Sequence, residues 1–553
     1  MVASERTPLL NDESDPPVQA TPVVSSVTEK EPSKAELVWI FSALFSAIFL
    51  GALDATIVAT LVSPIGSHFN ASHQASYLGT SYLLSLCCFT PLYGRLADIL
   101  GRKAALLIAL TLFGLGTLLC GLANSMNALI AARAIAGMGG GGIMTVSSVL
   151  MTDLVSLQQR GLLQGLANVI AGLAAGLGGP LGGFINDSLG WRWAFLIQMP
   201  FLAISFIMII LKVNVTFAAK PMTFREKLAR IDWLGSFTLV AFVGCFLVAV
   251  TLHTAEEMPW STPIVWGLLL ISAVSGVAFV LVEAFVTAEP IMPLRLLKQR
   301  TPLGVALSNF LISVTGFSVL YNVPLYFSAV KLQSASEAGA HLLPLAIVGS
   351  FGSLFAGWVM RATGKYWWLT VSTAALGFVS SLLMIYWNDN TSSFELWFDL
   401  VPTGLAMAAM VTSTLIGLIS SVSREDMAVA TGISYLFRTT GQVLGVSMSG
   451  AIAQSILRTQ LRDRIHVPNA DELISQIRHS TSIIRTLEPE LRDAAVHSWA
   501  IALRAVFIFN ACFAFLSMLA CLPIQEFELP STIAGPGKPA PATPSENQEN
   551  AEA

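Results

Sequence analysis

The sequence predicts an all-α integral membrane protein of fourteen transmembrane helices, and three observations predict it. Of 553 residues, 54% are hydrophobic and only 12% are Lys, Arg, Asp or Glu, against ~25% charged residues in a soluble globular protein. Fourteen apolar stretches are each long enough to cross ~30 Å of hydrocarbon at 1.5 Å per residue. Lys and Arg gather in alternate connections between those stretches, as a cytosolic bias requires. A soluble chain of this length would need roughly two to four domains with charged exteriors, and the charges to coat them are missing. A soluble enzyme and a secreted disulfide module are therefore excluded. The net charge of −4 leaves no basic surface for nucleic acid. The partner is the lipid bilayer, and the chain is read as a monomer.

Residues 1–36 are polar and rich in Pro, Ser and Glu, without the apolar core of a cleaved signal peptide. They read as a disordered cytosolic tail. The spans follow at 38–60, 75–97, 105–123, 128–151, 161–184, 193–211, 234–252, 264–284, 302–326, 339–360, 367–387, 397–421, 430–456 and 501–522. Residues 37–211 make a six-helix bundle, 212–300 hold two additional helices with cytosolic linkers, and 301–526 make a second six-helix bundle with a long lumenal loop at 457–500. Residues 527–553 form a second disordered cytosolic tail. The arrangement is 6 + 2 + 6, two pseudo-symmetric bundles that rock about a central cavity. The six cysteines (Cys87, Cys88, Cys120, Cys245, Cys512 and Cys521) all lie inside apolar runs and read as small buried hydrophobes.

With the N-terminus in the cytosol, the short cytosolic connections carry fifteen Lys and Arg, Arg160 among them, and the far-side ones only Arg192 and Lys331. Charge bias in short loops sets orientation. Arg458, Arg462, Arg464 and Arg492, in 457–500, run against the rule. The sequons at Asn70 and Asn390 fall in far-side loops and are candidate glycosylation sites.

An ionisable group inside a span costs several kcal/mol unless paired or hydrated, so each is a functional candidate. Asp54 lies about 16 residues, roughly 24 Å, along the first span, in its far-side half. Arg133 opens the fourth span, which runs the other way, so the two share a depth. An acid facing an arginine in a closable cavity is a proton switch in one reading and a static pair locking helix positions in the other. Arg438 is a second cation within a span, nearer the cytosolic end of span thirteen; it either lines the cavity or snorkels to the interface. Asn168 and Gln442 are neutral polar groups in spans, open to substrate contact or to packing. Glu283, His253 and His341 sit at helix ends, where hydration is cheap.

Between spans two and three stands Gly94-Arg95-Leu96-Ala97-Asp98-Ile99-Leu100-Gly101-Arg102-Lys103. Gly94 and Gly101 permit a tight turn, and Asp98 and Arg102 can pair if it stays helical. Asp153, ending span four on the same membrane face, completes a charge cluster that acts as a gate latch. In span five the run Gly172 to Gly183 contains Gly176, Gly179, Pro180 and Gly183, a close-packed hinge lining a pore. Nothing supports ATP hydrolysis, since Gly364-Lys365 lacks the upstream glycine spacing of a phosphate loop. No catalytic motif or metal-ligand spacing stands out, so the chain reads as no enzyme, without a cofactor, and any transport is driven by an ion gradient or by the solute's own.

These segments together resemble the major facilitator superfamily, in its fourteen-span drug:proton antiporter branch. Gly94 to Lys103 matches the loop motif, Arg133 with Gly137 the span-four motif, and Asp54 in Leu53-Asp54-Ala55-Thr56-Ile57-Val58-Ala59-Thr60 the span-one motif. The span-five run departs from the usual form, with one residue rather than two between Pro180 and Gly182-Gly183. A worn second copy of the loop motif runs from Gly357 to Lys365. The resemblance covers about residues 37–525. It implies proton coupling at Asp54 and Arg133 and a cytosolic gate at Asp98, Arg102 and Asp153.

Within the branch, Gly190-Trp191-Arg192-Trp193-Ala194-Phe195-Leu196-Ile197-Gln198-Met199-Pro200 resembles the fungal vacuolar basic amino acid transporters. That implies a vacuolar membrane protein moving Lys, Arg and His from the cytosol in exchange for protons. Plasma-membrane drug/proton antiporters exporting lipophilic cations or other toxic small molecules share most of the same frame. The N-terminal tail carries Glu5 and, after three residues, Leu9-Leu10. This resembles a dileucine sorting signal read by an adaptor on the way to vacuoles and lysosomes.

Overall fold

The computed structural model describes residues 34–529 apart from 70–76, 214–225, 227–229, 256–257, 288–289, 334, 389–390, 468 and 480. The sorting residues Glu5, Leu9 and Leu10, the sequon residues Asn70 and Asn390, and most of both tails lie outside the described residues. The described chain is all helix and connection. Its long helices are α1 (Lys34–His68), α2 (Tyr77–Leu100), α3 (Arg102–Leu122), α4 (Met126–Leu154), α5 (Leu157–Leu189) and α6 (Trp191–Lys212, two pieces meeting at Ile197). They continue with α7 (Trp233–Ala255), α8 (Pro263–Phe285), α9 (Arg300–Ala329), α10 (Leu343–Thr363), α11 (Trp367–Ile385), α12 (Val401–Ser421), α13 (Met427–Arg464) and α14 (Pro489–Cys521).

Thirteen helices among the described residues are long and apolar enough to cross a membrane by length and composition. The fourteenth, α13, has the length, at 38 residues, but not the hydropathy. Its position gives the reason. It packs against α2, α7, α9 and α14, and its hydroxyls serve neighbours: Asn309 Nδ2 donates to Ser434 Oγ at 3.0 Å and Asn322 Nδ2 to Ser449 Oγ at 2.9 Å. A helix enclosed by others needs no apolar coat.

The length of α13 also accounts for three of the four misplaced arginines; Arg492 stands at the start of α14. At roughly 57 Å α13 outruns ~30 Å of hydrocarbon, so Arg458, Arg462 and Arg464 stand on a helical extension beyond the membrane. Arg462 meets Asp471 at 3.7 Å. The stretch 457–500, expected as a loop containing some short amphipathic helix, is largely helical: α13 runs on to Arg464, a short helix spans Ala470–His479, and α14 begins at Pro489.

Packing displays an internal duplication. α1 packs on α5 and α6, α2 on α4, and α3 on α4 and α6. In the second bundle α9 packs on α13 and α14, α10 on α12, and α11 on α12 and α14. Each contact of the first set has its counterpart in the second when α1–α6 are matched in order to α9–α14. The seam between bundles obeys the same exchange, because α5 packs on α10 and α2 on α13. α7 and α8 form a hairpin whose α7 leans on α2 and α13. The glycine run of α4 lets it sit between α2 and α3: Gly137 abuts the Tyr82 backbone and Gly139 the backbone of Phe113.

The seam is closed over one half of its depth. Calling the face where α1 begins the near face, Gly94 of α2 lies against the Ala428 carbonyl of α13, and Gly432 against Pro91. Higher on the same pair, Cys87 Sγ sits 3.2 Å from Thr440 Oγ1 and accepts from Thr439 Oγ1 at 3.3 Å. Across the seam Gly161 of α5 meets Gly357 of α10, and Gly165 the Ser353 carbonyl. Residues 161, 165, 168, 172, 176, 179 and 183 make one stripe of α5 at helical spacing. Towards the far face Gly176 and Gly183 have no neighbour within 4 Å of a would-be side chain. The bundles therefore meet in the near half and part in the far half. The expected close-packed hinge is corrected accordingly. Gly176 and Gly183 are not packing contacts, and α5 stays helical through Gly179 and Pro180, whose side chains lie outside the described ones. The close approaches fall at Gly161 and Gly165, and at Gly178 against Thr56 of α1. Cysteines placed at Gly176 or Gly183 are expected to react with a water-soluble maleimide, and one replacing the buried Ser353 of the near seam to resist it. Equal labelling at the three positions would contradict a seam closed only at the near side.

Candidate functional site

Asp54 and Arg133 come together in the first bundle. Arg133 Nη1 donates to Asp54 Oδ2 at 2.5 Å, and the side chains are 0% and 1% exposed. α1 delivers the acid and α4 the base. The remaining polar valences are met locally: Arg133 Nε donates to the Leu78 carbonyl at 3.2 Å, and its guanidinium lies 4.3 Å from the Tyr82 ring centroid. Gln198 of α6 bridges back, its Nε2 donating to Asp54 Oδ1 at 3.4 Å and to the Ala194 carbonyl at 2.9 Å.

The pair does not face the cavity between the bundles, contrary to the expectation. Its partners all belong to the first bundle, on α1, α2, α3, α4 and α6, Cys120 of α3 among them. Towards the far face it is covered by an apolar cluster that includes Ile57, Leu61, Leu78, Leu129 and Phe195. On the near side it is covered by a second that includes Ile48, Leu50, Tyr82 and Ala136. A charge pair so enclosed strengthens electrostatically, and only an opening of one cluster gives water or a proton access to it.

A near-face charge cluster assembles around Arg102. Its Nη1 donates to Asp98 Oδ1 and its Nε to Asp153 Oδ2, both at 2.8 Å. The turn is the tight one that Gly101 permits, and the pair forms without a continuous helix. α2 ends at Leu100, Gly101 takes φ 93°, and α3 starts at Arg102. That left-handed φ favours glycine, and the reversal still returns Arg102 onto Asp98. Beside it Gly94 allows α13 to approach. Replacing Asp98 by asparagine is expected to slow turnover more than it weakens solute binding, by about 1–3 kcal/mol in the balance of conformers. Separate measurement of maximal rate and half-saturation tests this; an unchanged rate with weakened binding would place Asp98 in the solute path.

Arg160, counted by sequence among the loop cations, is fully buried. Its Nε donates to Thr152 Oγ1 at 2.9 Å, and its Nη2 to Ser148 Oγ at 2.6 Å and Gln164 Oε1 at 2.9 Å. From Gln164 the chain of bonds crosses the seam. Gln164 Nε2 donates to Asn168 Oδ1 at 3.1 Å, and Asn168 Nδ2 to Ser353 Oγ of α10 at 2.7 Å. Asn168 is therefore a seam contact. Arg438 is half-buried and stacks on Tyr435, with its guanidinium carbon 4.5 Å from the ring centroid. Gln442 is one turn further along α13, half-buried. Glu283 accepts the Ile291 N–H at 3.0 Å and so ties a helix end. Among the described residues, no group of three or more His, Cys, Asp or Glu gathers for a metal ion.

Sequence reasoning missed Gln198, Tyr82, Gln164 and Ser353. Gln198 carried a signal, a neutral polar residue inside an apolar span. Tyr82 reads as ordinary core, and hydroxyls such as Ser353 are too frequent in spans to stand out.

Residues 44–446 match the family described as Major Facilitator Superfamily. The chain is 39% identical over 475 residues to the multidrug resistance protein fnx1 of Schizosaccharomyces pombe, covering 85% of this chain and 88% of that one. It is 36% identical over 464 residues to the vacuolar membrane amino acid uptake transporter fnx2 of the same organism, covering 84% and 80%. Among solved structures, the human organic anion transporter MFSD10 (TETRAN) superposes with a TM-score of 0.56 at 14% identity, over 88% of this chain and 99% of that one, which is a likeness of fold.

Proposed function

The chain belongs to the Major Facilitator Superfamily, a multi-pass membrane transporter and not an enzyme, and from that footing we propose that it is a proton-coupled antiporter clearing small organic solutes from the cytosol. The observation that carries the coupling is the sealed Asp54–Arg133 pair. A titratable acid with 0% exposure is costly as a mere fastening, and protonating it releases Arg133 and loosens α1 from α4. The near face is the cytosolic one, because the short connections there hold most Lys and Arg. The seam is closed on that side and parted on the far side, the state in which an antiporter discharges solute and takes up a proton.

Export of toxic small molecules is the solute reading favoured by the relative at 39% identity, named for multidrug resistance. Uptake of basic amino acids into a vacuole is the second reading, favoured by the amino acid transporter at 36% and by the Glu5, Leu9 and Leu10 tail motif. The decisive experiment compares cells lacking the gene with vacuolar vesicles from cells expressing it. The first reading expects the deletion to sensitise cells to toxic compounds, with the chain at the cell surface. Proton-dependent entry of arginine, lysine and histidine into the vesicles would favour the second reading. Absence of both would remove both solute classes.

A further inference from the structure

Two arginines at the seam lack a carboxylate partner, and they come from opposite bundles. Arg160 of α5 is fully buried, and its bonds run to the neutral oxygens of Ser148, Thr152 and Gln164. Its Nη1 has no hydrogen-bond partner among the described residues. Arg438 of α13 lies about 11 residues, roughly 16 Å, beyond Met427 and so near mid-membrane; its Nε is likewise unpartnered. Tyr435, stacked under Arg438 with the guanidinium carbon 4.5 Å from its ring centroid, is also within electrostatic reach of Arg160. Neither arginine forms an ion pair among the described residues. The buried acids are engaged elsewhere: Asp54 with Arg133, Asp232 with the Gly235 N–H and the Thr287 hydroxyl, and Glu283 with the Ile291 and Met292 N–H groups.

A guanidinium buried without a counter-charge is costly, and a half-buried one at mid-membrane has to open on a hydrated cavity, because lipid would not tolerate it. Arginine's planar donors match a carboxylate. We propose that Arg160, Arg438 and Tyr435 form the recognition site for an anionic group, a carboxylate, on the transported solute. The inference rests on the antiporter reading and narrows its substrate: organic acids and zwitterions such as amino acids are taken, and purely cationic solutes are repelled. Arg438 meets the carboxylate from the parted far half, and Arg160 reaches it when the near seam opens. Neutralising one cation from each bundle lets the bundles close around loaded solute.

The test uses the purified full-length chain in nanodiscs and matched probes: L-arginine with agmatine, L-histidine with histamine, and salicylate with salicylamide. Binding is read by thermal stabilisation. At least one carboxylate is expected to bind about tenfold or more tighter than its partner lacking the charge, a difference of ~1.4 kcal/mol. Arg438→Gln is expected to erase that preference, and Tyr435→Phe to preserve the fold while weakening it. Since Arg160→Gln removes several internal bonds, the Arg438 variant is the one that decides. Binding of no carboxylate, equal binding within every pair, or full preference retained in Arg438→Gln would each overturn the proposal. Proton movement accompanying probe flux in liposomes separates this from the parent reading. Carboxylate preference without any proton movement would remove the antiporter and leave the site, whereas proton-coupled flux indifferent to the carboxylate would do the reverse.

Discussion

Asp54→Asn is expected to abolish proton-driven accumulation while downhill exchange of solute across the same membrane continues. The amide keeps the size of the carboxylate and an oxygen for Arg133 Nη1, and the Leu78 carbonyl, the Tyr82 ring and Gln198 remain in place around the pair. What disappears is the titration that couples the two movements. Accumulation against a gradient should fall by about 100-fold or more, equivalent to ~2.7 kcal/mol. Arg133 is then left buried without a counter-charge, and breaking such a pair costs about 3–5 kcal/mol. The variant should therefore unfold at lower temperature yet still reach its membrane. Arg133→Ala should lose coupling too, and the double variant should be more stable than either single one, since no lone charge remains. Uphill accumulation preserved in Asp54→Asn would reduce the pair to a fastening.

Gly357→Val is expected to have the next largest effect, and on the conformational balance instead of the coupling. A Cβ on Gly357 would lie 2.6 Å from the Gly161 carbonyl carbon on the facing helix, and the neighbour there is backbone that cannot rotate away. Overpacking of this kind costs about 1–3 kcal/mol, and the state with the near seam closed bears it alone. The near-open state should gain about tenfold to a hundredfold in population. Accessibility of a cysteine replacing the buried Ser353, from the near side, reports it directly. Gly183→Val, on the α5 stripe that faces α10 but with open space around it, is the control and should leave the balance unchanged. Similar effects of the two substitutions would mean that the seam contact at Gly357 does not govern closure.

The fold was legible because lipid leaves the backbone few options: an apolar run of sufficient length has to be a helix. The limit of that rule is α13, which hides its polar residues against other helices and so looks less like a span than it is. The Asp54–Arg133 and Asp98–Arg102–Asp153 groupings were legible too, because a charge in or beside a span is rare and depth follows from counting residues. Depth does not give azimuth. Counting placed Asp54 beside Arg133 but did not show that both turn into the first bundle, away from the cavity, and it put Arg160 in a loop because the residue stands near a helix start. Its burial depends on Ser148, Thr152 and Gln164 being turned towards it, which one-dimensional spacing does not record. The span-five glycines mislead for a related reason. The stripe is continuous in sequence, but only its near part meets α10, because the seam parts halfway.

Proton movement during solute transport is the most direct measurement. Liposomes holding the purified chain, with a pH-sensitive dye inside, receive solute at the near face of the protein. Solute entry is expected to drive protons the opposite way, an imposed pH gradient to drive accumulation, and a protonophore to collapse it, with Asp54→Asn showing none of these. Solute accumulation that proceeds without a pH change and survives the protonophore would contradict proton coupling through the sealed pair.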